Sequence, residues 1–261
     1  MSVHLDALAD DTFAAAAGQA RAVCTSTRLS FGEVRRSDAY PDLPFLNGIA
    51  DLCAPRWTVR ELEGVIEEHL GGVGQVRVAS RDPETIAGLG RRLVEAGYES
   101  ECRVAMVQVA PPAASPGWNG AVRLVETAAD WQAFEGLIRE DTAEHAWSSV
   151  MTEQIIRLYR HGEEQPPRWL VADGAGEAVA YVGFYQHGTV GYVYALYTRP
   201  SDRRRGAGSA LVYEAGRRAR ALGCERLTLQ STRDSFLPAY YEALGFRTVG
   251  EMWIWMKPAP R

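Results

Sequence analysis

Lysine is almost absent from this 261-residue sequence: Lys257 is the only one, and arginine supplies nearly all the positive charge. The net charge of −5 argues against a nucleic-acid-binding protein, which normally carries a basic excess. The N-terminal stretch MSVHLDALADDT has acids where a secretory signal has bases, and no apolar run approaches the roughly 20 residues that span a bilayer. We therefore expect contact with neither nucleic acid nor membrane.

Cysteine is also sparse. The four cysteines, at positions 24, 53, 102 and 224, stand singly, without the spacing of a metal site or a redox pair. This favours reduced thiols in a cytoplasmic protein that holds no metal. A structural disulfide or a reactive thiol is the alternative.

One stretch, APPAASPGWNG at 110–120, is rich in proline, alanine and glycine and lies between two apolar segments. We interpret it as an interdomain linker. The prediction is a domain over 1–112, a linker over 113–120 and a second domain over 121–261.

Hydrophobic periodicity in the second half predicts an α/β (α+β) fold. The predicted strands are AVRLVET, RWLVADG, VAYVGFYQHG, VGYVYALYTRP and ERLTLQ, with FRTVGEMWIWMK as a hairpin-like pair. The predicted helices cover 128–141, 147–160 (ending near His161-Gly162), 207–222 and 235–244. Strands 190–198 and 225–230 flank a helix, so they are expected to run parallel with a right-handed crossover.

The first half contains a weaker copy of this ending. QVRVAS at 75–80, a helix over 83–97 and then YESECRVAMVQ repeat the order strand, helix, Gly-aromatic step and two strands. The two steps are Gly97-Tyr98 and Gly245-Phe246. This order favours an internal duplication.

The stretch DRRRGAG at 202–208 joins a strand to a helix. The P-loop pattern G-x-x-x-x-G-K-[ST] is absent, and the G-x-G-x-x-G fingerprint fails because position 211 is leucine. The amides at a helix start carry partial positive charge, and Gly206 and Gly208 lack the Cβ that would keep a phosphate away. Arg203 and Arg204 would add charge around a pyrophosphate. The alternative is a glycine turn beside a solvated arginine run.

With YALYT before this loop and YYEALGF after the next strand, the region resembles the GNAT superfamily of acyl-CoA-dependent N-acyltransferases. The family loop R/Q-x-x-G-x-G/A matches RRRGAG at 203–208, and its Y-E-x-L-G-F matches 241–246. The resemblance covers roughly 121–257. It implies a mixed central sheet whose fourth and fifth strands, here 190–198 and 225–230, splay apart around the pantetheine of acetyl-CoA.

The resemblance also implies the cosubstrate contacts. The pantetheine pairs with the backbone of 196–198, and the pyrophosphate lies on the loop and the first turn of the helix. The expected residues are Leu196, Tyr197, Thr198, Arg203, Arg204, Arg205, Gly206, Ala207, Gly208, Ser209, Ser231 and Asp234. Asp234 stands where the family often has asparagine; it is able to cap helix 235–244, but its charge leaves its contact with CoA open.

For the chemistry, the resemblance implies that a backbone N–H at Leu196 or Tyr197 stabilises the oxyanion. Tyr241 protonates the leaving sulfur. Tyr240 is the competitor, because adjacent helical residues point about 100° apart and only one can face the cleft. The spacing to Gly245 favours Tyr241.

The acceptor side is less defined. The segment 139–147 joins the first two helices, where the superfamily roofs its acceptor site, and Glu144 or His145 is the candidate base. An ordinary polar connection is the alternative. Tyr192, Tyr194 and Trp147 line an aromatic pocket or else fill core.

The first half resembles a worn second GNAT copy, as in tandem proteins. It has no phosphate loop before a helix, and Leu93 takes the place of Tyr241, so we expect it to be noncatalytic. The sequence therefore predicts transfer of acetyl from acetyl-CoA to a small-molecule amine, and a homodimer is compatible with it. The alternatives are a protein or peptide acceptor, or a noncatalytic acyl-CoA sensor.

Overall fold

A computed structural model describes residues 2–112, 117–160 and 168–257. Its strands are β1 Thr25–Leu29, β2 Gly32–Arg36, β3 Gly48–Ala50, β4 Arg77–Ser80, β5 Glu99–Gln108, β6 Val122–Leu124, β7 Arg168–Gly174, β8 Glu177–His187, β9 Val190–Thr198, β10 Arg226–Thr232 and β11 Phe246–Met256. Its helices are α1 Ser2–Arg21, α2 Val59–Leu70, α3 (Pro83–Thr85, Ile86–Gly90 and Arg91–Glu95 in succession), α4 Ala128–Glu144, α5 Ser149–Arg160, α6 Ala207–Ala221 and α7 Leu237–Ala243. Helix α3 has a π-helical middle.

The chain divides into two compact units, each assembled from separate segments. The first comprises Met1–Ala16, Ala105–Gln230 and Phe236–Val249. The second comprises Ala17–Val104, Ser231–Ser235 and Gly250–Arg261. Strands β5, β10 and β11 thus contribute residues to both. The predicted domain boundaries stay a prediction, and residues 113–116 of the predicted linker lie outside the described residues.

In the first unit the strand order is β11-β5-β10-β9-β8-β7-β6. Strands β6 to β9 form an antiparallel meander, and β10 pairs with β9 in parallel, as the crossover through α6 predicts. Helix α4 begins at a capping box, in which Thr127 and Asp130 bond each other's backbone N–H. The core includes Phe134, Trp169 and Phe184, all at most 2% exposed.

In the second unit the order is β1-β2-β3-β4-β11. Strand β3 pairs with β4 in parallel, and β11 pairs with β4 antiparallel, with Trp255 opposite Val78. The core contains Leu62, Leu89 and Trp255. Gly90 is required there, because a Cβ would lie 2.4 Å from the Trp255 ring.

Three predictions from the sequence are wrong: two segments expected to form pairs of strands, and one helix cap. FRTVGEMWIWMK is one continuous strand, and so is the corresponding segment Glu99–Gln108. Gly250, the only glycine inside β11, lies within the continuous strand and does not have the positive φ of a tight hairpin turn. Helix α7 begins at Leu237, with a proline in its first turn, so Asp234 is not its cap.

Candidate active site

The parallel strands β9 and β10 separate partway along their length. Their register runs from Arg226 opposite Val190 to Leu229 opposite Val193 and continues no further within the described residues. Beyond that point β9 extends to Thr198 and β10 to Thr232. Residues 194–196 are correspondingly half-buried, whereas 190–193 are buried. The divergence leaves a cleft-facing edge on β9.

A bulge on β9 lies just after the strands separate. Ala195 has φ +52, in the left-handed region that alanine rarely adopts. The register with β8 shifts here, from Gly183 opposite Tyr194 to Tyr181 opposite Tyr197. A bulge re-aims the backbone that follows it. Here the residue that follows is Leu196.

Beyond the bulge, the hydrogen-bond pattern fixes which backbone groups face β8. The Arg199 N–H donates to the Val179 carbonyl at 2.9 Å, and antiparallel pairs alternate between bonded and non-bonded. Tyr197, two residues earlier, therefore also faces β8, whereas Thr198 faces away. The Thr198 carbonyl accepts instead from Arg203 Nε at 2.9 Å. The same alternation turns the backbone of Leu196 away from β8.

The predicted phosphate loop forms a tight turn into α6. Gly206 precedes the helix with φ +97, and a Cβ on it would lie 2.9 Å from the Gly117 carbonyl. Arg204 is also left-handed, with φ +64. Arg205 is paired with Asp202 at 3.2 Å. The N–H groups of the first turn of α6, from Ala207 onward, have no partner within the helix.

Four predicted cosubstrate residues come together at Gly208. A Cβ there would lie 3.1 Å from Tyr240 Oη, 3.4 Å from Thr198 Oγ1 and 3.8 Å from Leu196 Cδ2. Ser209 Oγ donates to Tyr240 Oη at 3.3 Å. The start of α6, the end of β9 and a hydroxyl from α7 therefore meet around the bare Cα of Gly208.

The two tyrosines of α7 face different surroundings. Tyr240 is half-buried with its hydroxyl at the loop, whereas Tyr241 is 6% exposed, with ring centroids 5.0 Å from Tyr240 and 5.8 Å from Phe246. Burial raises the pKa of Tyr241, so its hydroxyl keeps its proton at neutral pH.

Ser231 and Asp234 belong to segments of the second unit. Ser231 is 1% exposed, and its Oγ has no hydrogen-bond partner among the described residues. Asp234 is exposed and pairs with Arg233 at 3.2 Å. Their predicted contact with CoA stays a prediction.

On the acceptor side, the last turn of α4 carries three acids and no base, against the helix dipole. Each acid has a partner elsewhere in the unit. Glu140 accepts two bonds from Arg199, at 2.8 and 2.9 Å, and Glu144 pairs with Arg203. The hydrogen bond from Arg203 lowers the pKa of Glu144. Glu144 is therefore a weaker base than the sequence suggested.

The third acid, Asp141, was not predicted as a site residue. Its Oδ2 accepts from the Tyr181 hydroxyl, and its Oδ1 lies 3.0 Å from His145 Nδ1. Desolvation by burial raises the pKa of this carboxyl. The i,i+4 spacing of Asp141 and His145 on a helix was the available sequence signal.

A small cavity of about 40 Å³ adjoins this pair. It is lined by Ile138, Asp141, Thr142, His145, Trp147, Ile155, Tyr159 and Tyr181. Trp147 thus lines a pocket, as one reading of the sequence expected. Tyr192 is not part of this cavity: it is 7% exposed and packs with Tyr185 and Ala15.

Three further properties concern the cysteines, metal binding and membrane crossing. All four cysteines are free. Among the described residues, no cluster of His, Cys, Asp or Glu is arranged to hold a metal ion, and no helix combines the length and apolarity that crossing a membrane requires.

Several solved structures share this fold over nearly the whole chain. A conserved protein of unknown function from Staphylococcus epidermidis has a TM-score of 0.71 at 12% identity, covering 92% of this chain and 96% of the other. A GCN5-related N-acetyltransferase from Kribbella flavida has a TM-score of 0.62 at 16% identity, covering 97% of this chain and 96% of the other. A putative acetyltransferase of the GNAT family from Novosphingobium aromaticivorans has a TM-score of 0.59 at 16% identity, covering 96% of this chain and 97% of the other. At these identities the likeness shows the fold and no more.

By sequence, no protein of curated function matches significantly. Residues 127–246 match the family model described as the acetyltransferase (GNAT) family. This range contains the bulged strand, the glycine loop, the diverging parallel pair and the tyrosines of α7. The chain thus contains a domain of the acetyltransferase (GNAT) family over residues 127–246.

Proposed function

We propose that the protein transfers acetyl from acetyl-CoA to the primary amine of a small molecule. The observation that carries this proposal is the parting of β9 and β10 after Val193 and Leu229, with the start of α6 at the end of the opening. A strand edge beside a helix N-terminus suits a ligand with amide groups at one end and phosphates at the other.

The cosubstrate binds by backbone groups at this opening. The outward-facing backbone of Leu196 and Thr198 pairs with pantetheine amides, and the amides from Ala207 onward take the pyrophosphate. The absence of a Cβ on Gly208 lets the start of α6 pack closely against the end of β9 and Tyr240, which brings the helix amides next to the strand edge. Arg203, Arg204 and Arg205 supply positive charge around the phosphates.

The oxyanion that develops on the thioester carbonyl is stabilised by a backbone N–H on β9. Leu196 is favoured over Tyr197, because strand alternation directs the Tyr197 amide into the ladder with β8. Tyr241 protonates the departing thiolate, and its burial keeps the hydroxyl protonated until then. His145 is favoured over Glu144 as the base, because Glu144 is bound to Arg203.

The first half is proposed to be a second, noncatalytic GNAT copy. Both halves contain a strand, a helix and a left-handed glycine before the next strand, with φ +88 at Gly97 and +82 at Gly245. Only the second half has the phosphate loop.

Calorimetry and thiol release test the proposal together. Titration of CoA into the full chain should give one site per chain, and acetyl-CoA with a panel of small amines should release CoA thiol. Gly208→Glu should abolish both, whereas Gly136→Glu should leave both intact, because Gly136 is an exposed glycine of α4 with nothing near its Cβ position. Two sites per chain, or binding without turnover on any amine, would contradict it; the second result would favour an acyl-CoA sensor.

A further inference from the structure

Asp141 stands at the end of α4 with both carboxylate oxygens committed. The hydroxyl of Tyr181, a β8 residue that is 1% exposed, donates to Oδ2. His145 Nδ1 lies 3.0 Å from Oδ1. A hydroxyl fixed by a packed ring holds the carboxylate in one orientation. The remaining oxygen is thereby directed at the imidazole of His145.

This contact determines the tautomer of His145. Nδ1 lies 2.9 Å from the Asp141 carbonyl and 3.0 Å from its carboxylate, and both are acceptors. Nδ1 must therefore carry the hydrogen in the neutral ring, which leaves the lone pair on Nε2. The His145 side chain is 62% exposed, so Nε2 is accessible to a ligand. A carboxylate behind an imidazole also stabilises the imidazolium that forms on proton uptake.

The adjoining cavity is narrow and mostly apolar. Its volume of about 40 Å³ has room for about three water-sized groups. Ile138, Ile155 and Trp147 contribute apolar side chains to its lining, and Asp141 and His145 contribute polar groups. A short unbranched carbon chain ending in a nitrogen matches this arrangement, whereas a carbon branched beside the nitrogen is too wide.

We propose that Asp141 is a positioning residue that holds His145 as the proton acceptor for the amine, and that the cavity receives the unbranched carbon chain next to that amine. This inference rests on the proposed function. The substrate ammonium gives one proton to Nε2, and the neutral nitrogen attacks the thioester carbonyl. The C–S bond then breaks, and the second proton lost by the nitrogen balances the one taken up by the thiolate. The imidazolium releases its proton to solvent.

The positioning role is tested with Asp141→Asn, His145→Gln and the double variant. Each should lower kcat about 10²-fold with unchanged affinity for acetyl-CoA, and the double variant should lose no more than either alone, because both act through one proton acceptor. The amide introduced by Asp141→Asn can donate to Nδ1 and so stabilises the wrong tautomer. Nitrogen NMR of the His145 ring should show the hydrogen moving from Nδ1 to Nε2. Glu140→Gln, on the same helical turn but paired with Arg199, should keep wild-type kcat.

The cavity is tested with n-propylamine and isopropylamine as acceptors. Ile155→Val widens it by one methylene, whereas Ile156→Val removes the same group from a buried neighbour that does not line it. The preference for n-propylamine, measured as a ratio of kcat/KM values, should shrink several-fold in Ile155→Val and stay constant in Ile156→Val.

The outcomes separate this inference from the function itself. If the wild-type protein acetylates no amine, the proposed function fails. If it does, but Asp141→Asn keeps full kcat or the two single losses multiply in the double variant, Asp141 does not act through His145. An amine preference that Ile155→Val leaves unchanged would remove the cavity from the acceptor site.

Discussion

One guanidinium nitrogen of Arg203 lies 2.6 and 2.7 Å from the two carboxylate oxygens of Glu144. This ion pair joins the end of α4 to the predicted phosphate loop. The same guanidinium lies 6.0 Å from the centre of the Tyr197 ring. A predicted base is therefore bound to a predicted phosphate ligand, and the two roles compete for the same pair of side chains.

Glu144→Gln tests which role Glu144 has. Removal of its charge releases Arg203 for phosphate, so CoA affinity should rise a few-fold at low salt, and kcat should fall by less than about tenfold. Calorimetry and steady-state rates measure the two effects. Glu153→Gln, which breaks an exposed ion pair with Arg139, is the control. A loss of about 10³-fold in kcat would identify Glu144 as the base after all.

The two loop glycines should respond differently to substitution. Gly206→Ala should destabilise the fold by about 1–2 kcal/mol, since its φ is +97 and the Gly117 carbonyl is close. Gly208 has an ordinary φ, and a methyl group there would press only on the Tyr240 hydroxyl. Gly208→Ala should therefore keep the wild-type melting temperature and weaken CoA binding, because it shifts the first turn of α6 away from the end of β9. Thermal unfolding and calorimetry separate the two. Equal CoA affinity in Gly208→Ala and wild type would show that the close approach of α6 to β9 does not shape the cosubstrate site.

Tyr241→Phe should lower kcat and kcat/KM together by about 10²-fold, because the proposed general acid acts only in the transition state. Tyr240→Phe should instead weaken acetyl-CoA binding, because its hydroxyl lies at Ser209 and Gly208. The loss in Tyr241→Phe should shrink with a thioester whose leaving thiol is more acidic. A large kcat loss confined to Tyr240→Phe would reassign the acid.

The bulge at Ala195 predicts an unusual pair of outcomes. Ala195→Gly should be neutral or stabilising by up to about 1 kcal/mol, because glycine adopts positive φ without strain. Ala195→Val should destabilise and lower kcat, because a β-branched residue resists this conformation and would shift the Leu196 amide. Denaturant unfolding and initial rates provide the measurements. If Val is tolerated at full kcat, the bulge does not position the oxyanion donor.

A buried carboxylate in the second unit predicts acid sensitivity. The hydrogen bond from Arg21, with a further one from Arg35, holds the pKa of Glu33 well below its usual range. The folded-state pKa is depressed, so this stabilisation is present above the unfolded value of about 4.3 and is lost as pH falls below it. Glu33→Gln should lower the free energy of unfolding by about 2 kcal/mol at pH 7. This figure allows for solvent screening of the ion pair, because the Arg21 side chain is half exposed.

The melting temperatures of wild type and Glu33→Gln should converge as the pH is lowered from about 5 towards about 2. Asp38→Asn, which removes an exposed partner of Arg36, should shift the melting temperature little at any pH. A constant difference across the pH range would show that Glu33 contributes through packing rather than charge.

The sequence predicted what depends on local pattern and spacing. The parallel pair, the helix after Gly206 and most strands follow from periodicity and glycine placement. The missed features depend on residues distant in sequence: Asp141 meets Tyr181 forty positions later, and Arg203 meets Glu144. The positive φ of Ala195 could not be predicted from the sequence, because alanine rarely adopts positive φ and so gives no indication of it. The continuous strand β11 was missed because Gly250 looks like a turn residue but is extended here.

The early end of the β9–β10 ladder has a consequence for solubility. A strand edge with unpaired backbone groups is a template on which another extended chain can add. The diverging edge of β9 is therefore a potential template of this kind, and Pro200 with the arginines that follow β9 limits how far an added strand could extend. If acyl-CoA binds along this edge as proposed, it would complete the ladder and so also stabilise the protein during expression and storage.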